Sequence, residues 1–290
     1  MRITSNKRVI EISHPDKIWF PESGYTKAAI VQYYHDIAPH MVPFMQHRPL
    51  TMLRYPDGIT GESFYHKDMP AYFPDWIDSV SVAKKEGGKT RYVVCNNAET
   101  LVYIANQGCI TPHLWLSTVQ ALRKPDKLIF DLDPSTNYDF ALVKQVAKKL
   151  YALLDSMRIP AYLMTTGSRG LHVVIPLAPY VPEDFSVIRG YARTIAQEIV
   201  NQMPNKVTLE ARKEKRGKRL LIDVMRNGFG QTAVAPYAVR ARPHAPVATP
   251  IEWDELDNSH LRSDLYTIKT IFKRLKSVGN IWKNTGLVAK

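Results

Sequence analysis

The run Lys127-Leu-Ile-Phe-Asp-Leu-Asp133-Pro134 constrains the fold more than any other stretch of the chain. Its length, its apolar content and the proline that closes it describe a strand ending at Pro134. Side chains alternate across a strand, so Asp131 and Asp133 share one face while Phe130 and Leu132 share the other. One face must be buried, and the other holds two like charges that repel unless a cation lies between them. Downstream, Ser135-Thr136-Asn137 offers caps for an amphipathic helix reaching about Met157, with Val143, Val146, Ala147, Leu150, Leu154 and Met157 at helical spacing. Ala161 to Thr166 and Leu171 to Pro176 read as strands around the turn Gly167-Ser-Arg-Gly170. A second helix runs from about Glu183 to Met203, with Val187, Ile188, Tyr191, Ile195 and Ile199 in register, and Leu220 to Met225 is again a strand. This succession predicts an α/β (α+β) fold of mixed β-sheets flanked by helices.

The flanking regions fit the same class. Thr26 is placed to cap a helix over 26–38 with Ile30, Tyr33, Tyr34 and Ile37 on one stripe. Residues 48–96 are β-rich, with turns at Pro56-Asp57-Gly58 and Gly87-Gly88, and a helix near 98–107 follows. A basic terminal helix is expected over 264–277. No repeat or long linker divides the 290 residues, so a single catalytic domain over 1–290 is expected. Within it lie an N-terminal binding part (about 1–120), a catalytic core (about 121–243) and a C-terminal helical extension (about 244–290). No run of ~18 apolar residues offers a membrane span, and Met1 to Ile12 has no signal-peptide core. With only Cys95 and Cys109 the chain is neither a disulfide scaffold nor a thiolate zinc finger, and a reducing cytoplasm is the expected compartment.

The formal charge of +12 points to a polyanionic partner. It is concentrated in Arg212 to Arg219 (RKEKRGKR), six cations and one acid in eight residues, and in Lys84 to Arg91 (KKEGGKTR). Both runs read as hairpin tips that carry charge outward. Aromatic and basic residues alternate at Arg54-Tyr55 and at Phe64-Tyr65-His66-Lys67, the combination single-strand binders use for stacking and backbone tracking. For Phe64 and Tyr65 a buried core position is the competing expectation, open to only one of the two.

Three elements carry chemistry. Asp131 and Asp133 suit a hard divalent cation, Mg²⁺ or Mn²⁺, which keeps positions for water and substrate phosphates. Asp223, in the apolar strand Leu-Leu-Ile-Asp-Val-Met, is a costly ionised group without a partner. It completes a two-ion carboxylate set, or else forms a structural ion pair with Arg219 or Lys218. The turn Thr165-Thr-Gly-Ser-Arg-Gly-Leu-His172 offers backbone amides, a hydroxyl and a fixed cation to an anion, and beside two acidic strands it reads as a triphosphate cradle. Two other motifs carry no function. Ala83 to Thr90 mimics a P-loop with Ala83 in place of its first glycine. Tyr55-Pro-Asp-Gly58 mimics a ligase adenylation motif with Tyr55 in place of the nucleophilic lysine.

Taken in order, D-L-D-P, then G-S-R-G-L-H, then an apolar pair before Asp223 resemble the three motifs of archaeo-eukaryotic primases. The chain more closely resembles the polymerase domain of bacterial ligase D, which acts in non-homologous end joining with Ku. Asp16 to Lys27, Arg48 to Gly58 and Ala233 to Arg240 carry that likeness beyond the three motifs.

The resemblance implies a primase-like catalytic core in which Asp131, Asp133 and Asp223 bind two Mn²⁺ or Mg²⁺ ions. Thr166, Ser168, Arg169, His172, His113 and Arg240 would contact the incoming nucleotide. Lys17 and Lys27 would hold the 5′-phosphate across a gap, Phe64 and Tyr65 would stack template bases, and Arg54, Lys84, Lys85, Lys213 and Arg216 would face DNA. It further implies ribonucleotide and Mn²⁺ preference, NTP or dNTP substrates, gapped or 3′-overhanging DNA with a 5′-phosphate, and Ku plus a separate or fused DNA ligase as partners, all at the nucleoid. Leu53 and Arg226 depart from the pattern, which carries a basic residue in some relatives at the first position and a polar amide at the second.

The expected activity is template-directed addition of nucleotides to a primer 3′ end. De novo priming, a two-metal nuclease and a non-catalytic DNA-end-binding module are the alternatives. The nuclease has no need of the Ser168–His172 turn, and the binding module has no need of the three carboxylates.

Overall fold

The computed structural model describes the chain except residues 6–7, 85, 136–138, 178–182 and 289–290. Its centre is a six-stranded sheet in the order Val207–Thr208, Leu220–Asp223, Lys127–Asp133, Leu171–Pro176, Tyr162–Thr165, Thr249–Ile251. Neighbours are antiparallel except the first pair, which is parallel. A second sheet runs Thr232–Val234, Cys109–Trp115, Pro49–Arg54, Lys89–Val94, Ser79–Ala83, with Phe64–His66 paired to Pro49–Arg54.

Alternation along Lys127–Asp133 divides the interior as expected. Phe130 and Leu132 pack with Val143, Val146, Leu150, Ile188 and Ile199 of the helices Phe140–Ser156 and Phe185–Gln202. On the opposite face, Ile129, Met164 and Val174 join a core shared with Leu114 and Val234 of the second sheet and with the helices Lys27–Met45 and Ala98–Asn106. Asp131 and Asp133 therefore project into the layer between the two sheets, at the rim where it opens.

Several expectations are corrected. The helix Phe140–Ser156 is capped by Asp139, whose carboxylate accepts from Leu142 N at 2.9 Å; Thr136 and Asn137 lie outside the described residues. Val187 and Tyr191 are exposed, because the buried stripe of their helix is Phe185, Ile188, Ala192, Ala196 and Ile199. The first helix, capped by Thr26, continues through Pro39 and Pro43 to Met45, since Met41, Phe44 and Met45 are buried against the core and outweigh the lost amides. The terminal helix is shorter than expected, Ile271–Val278. The backbone before it is used elsewhere: Val247 N donates to Tyr266 O, and Ile268 N to Ala245 O. Among the described residues no helix is long and apolar enough to cross a membrane.

Candidate active site

Antiparallel register sets the site. Asp131 is the direct partner of His172 on one neighbouring strand and of Asp223 on the other, so the three side chains form one row across the sheet. A pocket of about 640 Å³ opens over this row and is lined by Asp131, Asp133, Asp223, Thr166, Ser168, Arg169, His172, His113 and Arg240, together with Arg226. Every residue expected at the metal and nucleotide sites thus shares one cavity.

The turn at the back of the pocket is built tightly against the carboxylate strand. A Cβ on Gly170 would lie 2.0 Å from Leu132 O, and one on Gly167, at φ +64°, would lie 2.8 Å from Arg240 Cγ. The Thr166 hydroxyl donates to Gly170 O (3.1 Å) and accepts from Gly170 N (3.3 Å). Ser263, which the sequence pattern does not single out, adds a hydroxyl bond to Gly170 O at 2.7 Å. Arg240 Nη1 donates to Thr166 O at 2.6 Å, so its guanidinium is anchored to the same turn.

Each of the three carboxylates lies within 4 Å of an arginine. Asp131 Oδ2 accepts from Arg226 Nε at 3.2 Å, and its Oδ1 lies 3.6 Å from His172 Nε2. Burial disfavours ionisation of Asp131, but His172 and Arg226 outweigh it and hold the carboxyl well below the usual range. Asp133 accepts from Arg169 Nη2 at 3.0 Å and from Arg216 Nη1 at 3.2 Å. Asp223 accepts from Met225 N at 2.7 Å and lies 3.9 Å from Arg226. Burial, with the Asp131 charge opposite, raises its carboxyl. His113 is buried with both ring nitrogens unpartnered, as is His172 Nδ1. Burial, then Arg240 and Arg226, push the His113 imidazole well below its usual value, so it faces the pocket uncharged.

Among the described residues no three metal-ligating side chains converge as a ready cage. The donor set nonetheless fits a hard divalent ion. Three carboxylates on two adjacent strands are oxygen donors of the kind Mg²⁺ and Mn²⁺ take, and each lies within 4 Å of a guanidinium group. Arg169, Arg216, Arg226 and Arg240 around these carboxylates leave the pocket suited to further anionic charge.

Two expectations about charge are corrected here. The basic run places Arg216 on an outward hairpin tip facing DNA. Instead the run forms a short helical turn, Lys213–Arg216, between two parallel strands, and Arg216 is buried against Asp133. Asp223 pairs with Arg226 rather than with Arg219 or Lys218.

The family model of the LigD primase-polymerase domain matches residues 26–282. The chain belongs to this LigD family. It is 34% identical over 256 residues to the multifunctional non-homologous end joining protein LigD of Mycolicibacterium smegmatis, covering 87% of this chain and 33% of that protein. It is 32% identical over 270 residues to the bifunctional LigD of Bacillus subtilis, covering 93% and 43%. The chain thus spans between a third and just under half of the length of these relatives. The structure of the polymerase domain of Mycobacterium tuberculosis ligase D in complex with DNA superposes with a TM-score of 0.89 at 28% identity, over 97% of this chain and 99% of that one.

The remaining residues of this LigD-family domain lie outside the pocket. Lys17 and Lys27 are brought together, with Lys27 N donating to Lys17 O at 2.7 Å. Lys17 is ion-paired with the exposed Asp57, while Lys27 Nζ donates to Ser13 Oγ at 2.8 Å. Burial, reinforced by Lys17, pushes the Lys27 amine down to about 8. Phe64 and Tyr65 are both exposed, so neither is a core residue. Arg54 lies over the Phe64 ring and donates to His66 Nδ1 and to Gln107 O. Tyr65 meets His113 edge-on at 5.7 Å, which joins the aromatic pair to the pocket. Lys84 and Lys213 are exposed at their turns; Lys85 lies outside the described residues. No pattern in the sequence marks Asn227, whose amide accepts from Ile129 N (2.8 Å) and donates to Ile129 O (2.7 Å), tying the segment after Asp223 to the Asp131 strand.

Proposed function

We propose that this domain is a template-directed, two-metal nucleotidyltransferase that extends primer 3′ ends with NTPs or dNTPs and fills gaps during end joining. The observation that carries this reading is the single pocket holding the carboxylate row and the glycine-flanked Ser168–His172 turn side by side. Ser168, Arg169 and His172 would take the triphosphate, with Arg240 beside them and neutral His113 near the sugar. Asp131, Asp133 and Asp223 would hold Mn²⁺ or Mg²⁺, which when bound stabilises charge on the attacking and leaving oxygens of an in-line displacement. Arg169 and Arg216 would compensate Asp133 until those ions bind. Phe64 and Tyr65 would stack the templating bases, and Lys17 and Lys27 would hold a recessed 5′-phosphate. Ku and a ligase activity supplied by the same or another chain are the partners this role requires.

Primer extension on gapped and open templates tests the reading. Metal-dependent growth of the primer with release of pyrophosphate from NTP is expected. Shortening of the primer without NTP would mark a nuclease, and DNA binding without turnover would mark an end-binding module.

A further inference from the structure

The layer between the two sheets holds a second cavity, at the start of the strand whose far end carries the carboxylates. Alternation along Lys127–Asp133 puts Lys127, Ile129 and Asp131 on one face, so the strand opens with an amine in the same layer. There Lys127 and Ile129 line a narrow cavity of about 410 Å³ with Leu114, Val174 and Trp282. Lys127 and His172 are the titratable residues in its walls, and the rest are apolar or aromatic. His172 and Val234 also line the nucleotide pocket, so the two cavities share a wall.

The Lys127 amine is short of partners. Its Nζ donates over 3.5 Å to Leu287 O, at the limit of a hydrogen bond, and among the described residues it forms no salt bridge. The neighbouring carboxylate, Asp126, is taken by Arg48, whose two terminal nitrogens both donate to it. Burial, then the Arg48 charge, push the Lys127 amine down to about 7, with Asp126 opposing them. About half of such amines are uncharged at pH 7, against fewer than about one in 10³ for an ordinary lysine. A lysine desolvated beside another cation is an activated nucleophile. The side chain stays partly exposed, so small solutes can reach it. Its cover is the C-terminal segment, where Trp282 and Leu287 are buried. A Cβ on Gly286 of that segment would lie 3.2 Å from Cβ of Pro176, the strand partner of Lys127. Such close seating favours a reagent of few atoms.

We infer that Lys127 Nζ is a modification site, acylated by small activated acyl donors of the acyl-phosphate class. The Nζ lone pair attacks the acyl carbon and forms an amide bond. The bond from that carbon to the phosphate oxygen breaks, phosphate leaves with the bonding pair, and the amine proton passes to solvent. The product is a neutral amide at the apolar cavity. In the test the whole protein is incubated with acetyl phosphate at about pH 7, and acetylation of each lysine is timed by peptide mapping and mass spectrometry. Metal, DNA and nucleotide are left out, so the result is independent of the polymerase reading. Lys127 should react about ten-fold or more faster than the exposed Lys213, Lys215 and Lys218. The full gain in uncharged amine is cut by the weaker nucleophilicity of a weaker base and by the cover of the C-terminal segment. Its rate should level off by about pH 8.5, where that of an ordinary lysine still rises about ten-fold per pH unit. Lys27 separates low basicity from access: its amine is pushed down to about 8, but it is 6% exposed and bonded to Ser13, so it should react more slowly than Lys127. In guanidinium chloride that unfolds the chain, the lead of Lys127 should vanish. Acetylation of Lys127 no faster than that of the exposed lysines or of Lys27, or a lead that survives unfolding, would overturn the site.

Discussion

Asp131 and Asp223 sit directly opposite each other on adjacent antiparallel strands, with the Arg226 guanidinium reaching both, 3.2 Å from the first and 3.9 Å from the second. Like charges at facing positions destabilise a strand pair, so the arginine offsets the repulsion that this register creates. Asp131→Asn keeps the shape of the side chain and removes its charge. Nucleotide addition should fall by on the order of 10²-fold or more. DNA affinity, made by cations elsewhere, should change less than about two-fold by anisotropy. A variant that extends primers at the wild-type rate would remove Asp131 from the site.

If Lys27 holds the 5′-phosphate as proposed, recognition of the DNA end should depend on pH. Its amine is pushed down to about 8, so it carries a charge at pH 6.5 and loses it as pH rises past that value. Discrimination between a 5′-phosphate and a 5′-hydroxyl should be roughly ten-fold at pH 6.5 and should shrink by pH 9.5, at fixed salt. Lys17→Ala with Lys27→Ala should abolish the difference at both pH values. The stability contribution has the opposite direction. Between about 8 and the ordinary lysine value the unfolded chain binds the proton that the native protein releases, so this residue favours the fold more as pH rises across that window.

Salt should separate two parts of the basic run. Lys213, Lys215 and Lys218 are exposed, whereas Arg216 is buried on Asp133. Neutralising the three lysines should flatten the dependence of log K on log salt, by about 0.9 for each duplex phosphate that the protein no longer neutralises. Arg216→Gln should leave that slope unchanged and alter nucleotide addition instead. A shared slope change would return Arg216 to the DNA surface.

Two glycines make a matched pair for denaturation. Gly170→Ala would put a methyl 2.0 Å from Leu132 O, where backbone must shift, and should cost about 2–4 kcal/mol along with triphosphate affinity. Gly190, inside the helix Phe185–Gln202, has nothing within 4 Å of an added Cβ. Gly190→Ala should stabilise the domain by about 0.5–1 kcal/mol. Equal effects in urea unfolding would show that the close approach at Gly170 carries no weight.

Features that depend on local period and local chemistry were legible in the sequence. The i, i+2 spacing put Asp131 and Asp133 on one face, the glycines marked the Thr166–Gly170 turn, and Thr26 marked a helix start. Each of these is fixed within a few residues by strand alternation, positive φ or capping. Gathering those pieces into one pocket took a family likeness spanning most of the chain.

Where the charges ended was settled only by the folded chain. Arg216 lies in a run that reads as solvated, yet its guanidinium is drawn 3.2 Å from a carboxylate 83 residues away. Arg226 reaches Asp131 across 95 residues, and Asn227 clasps Ile129 across 98. The helix from Lys27 outran its prolines because its last turns are buried, and the terminal helix fell short because the Tyr266 carbonyl and the Ile268 amide before it are bonded to Val247 and Ala245. An ion pair or a buried turn is chosen by what lies opposite in space, and a flexible basic side chain carries no local pattern that names its partner.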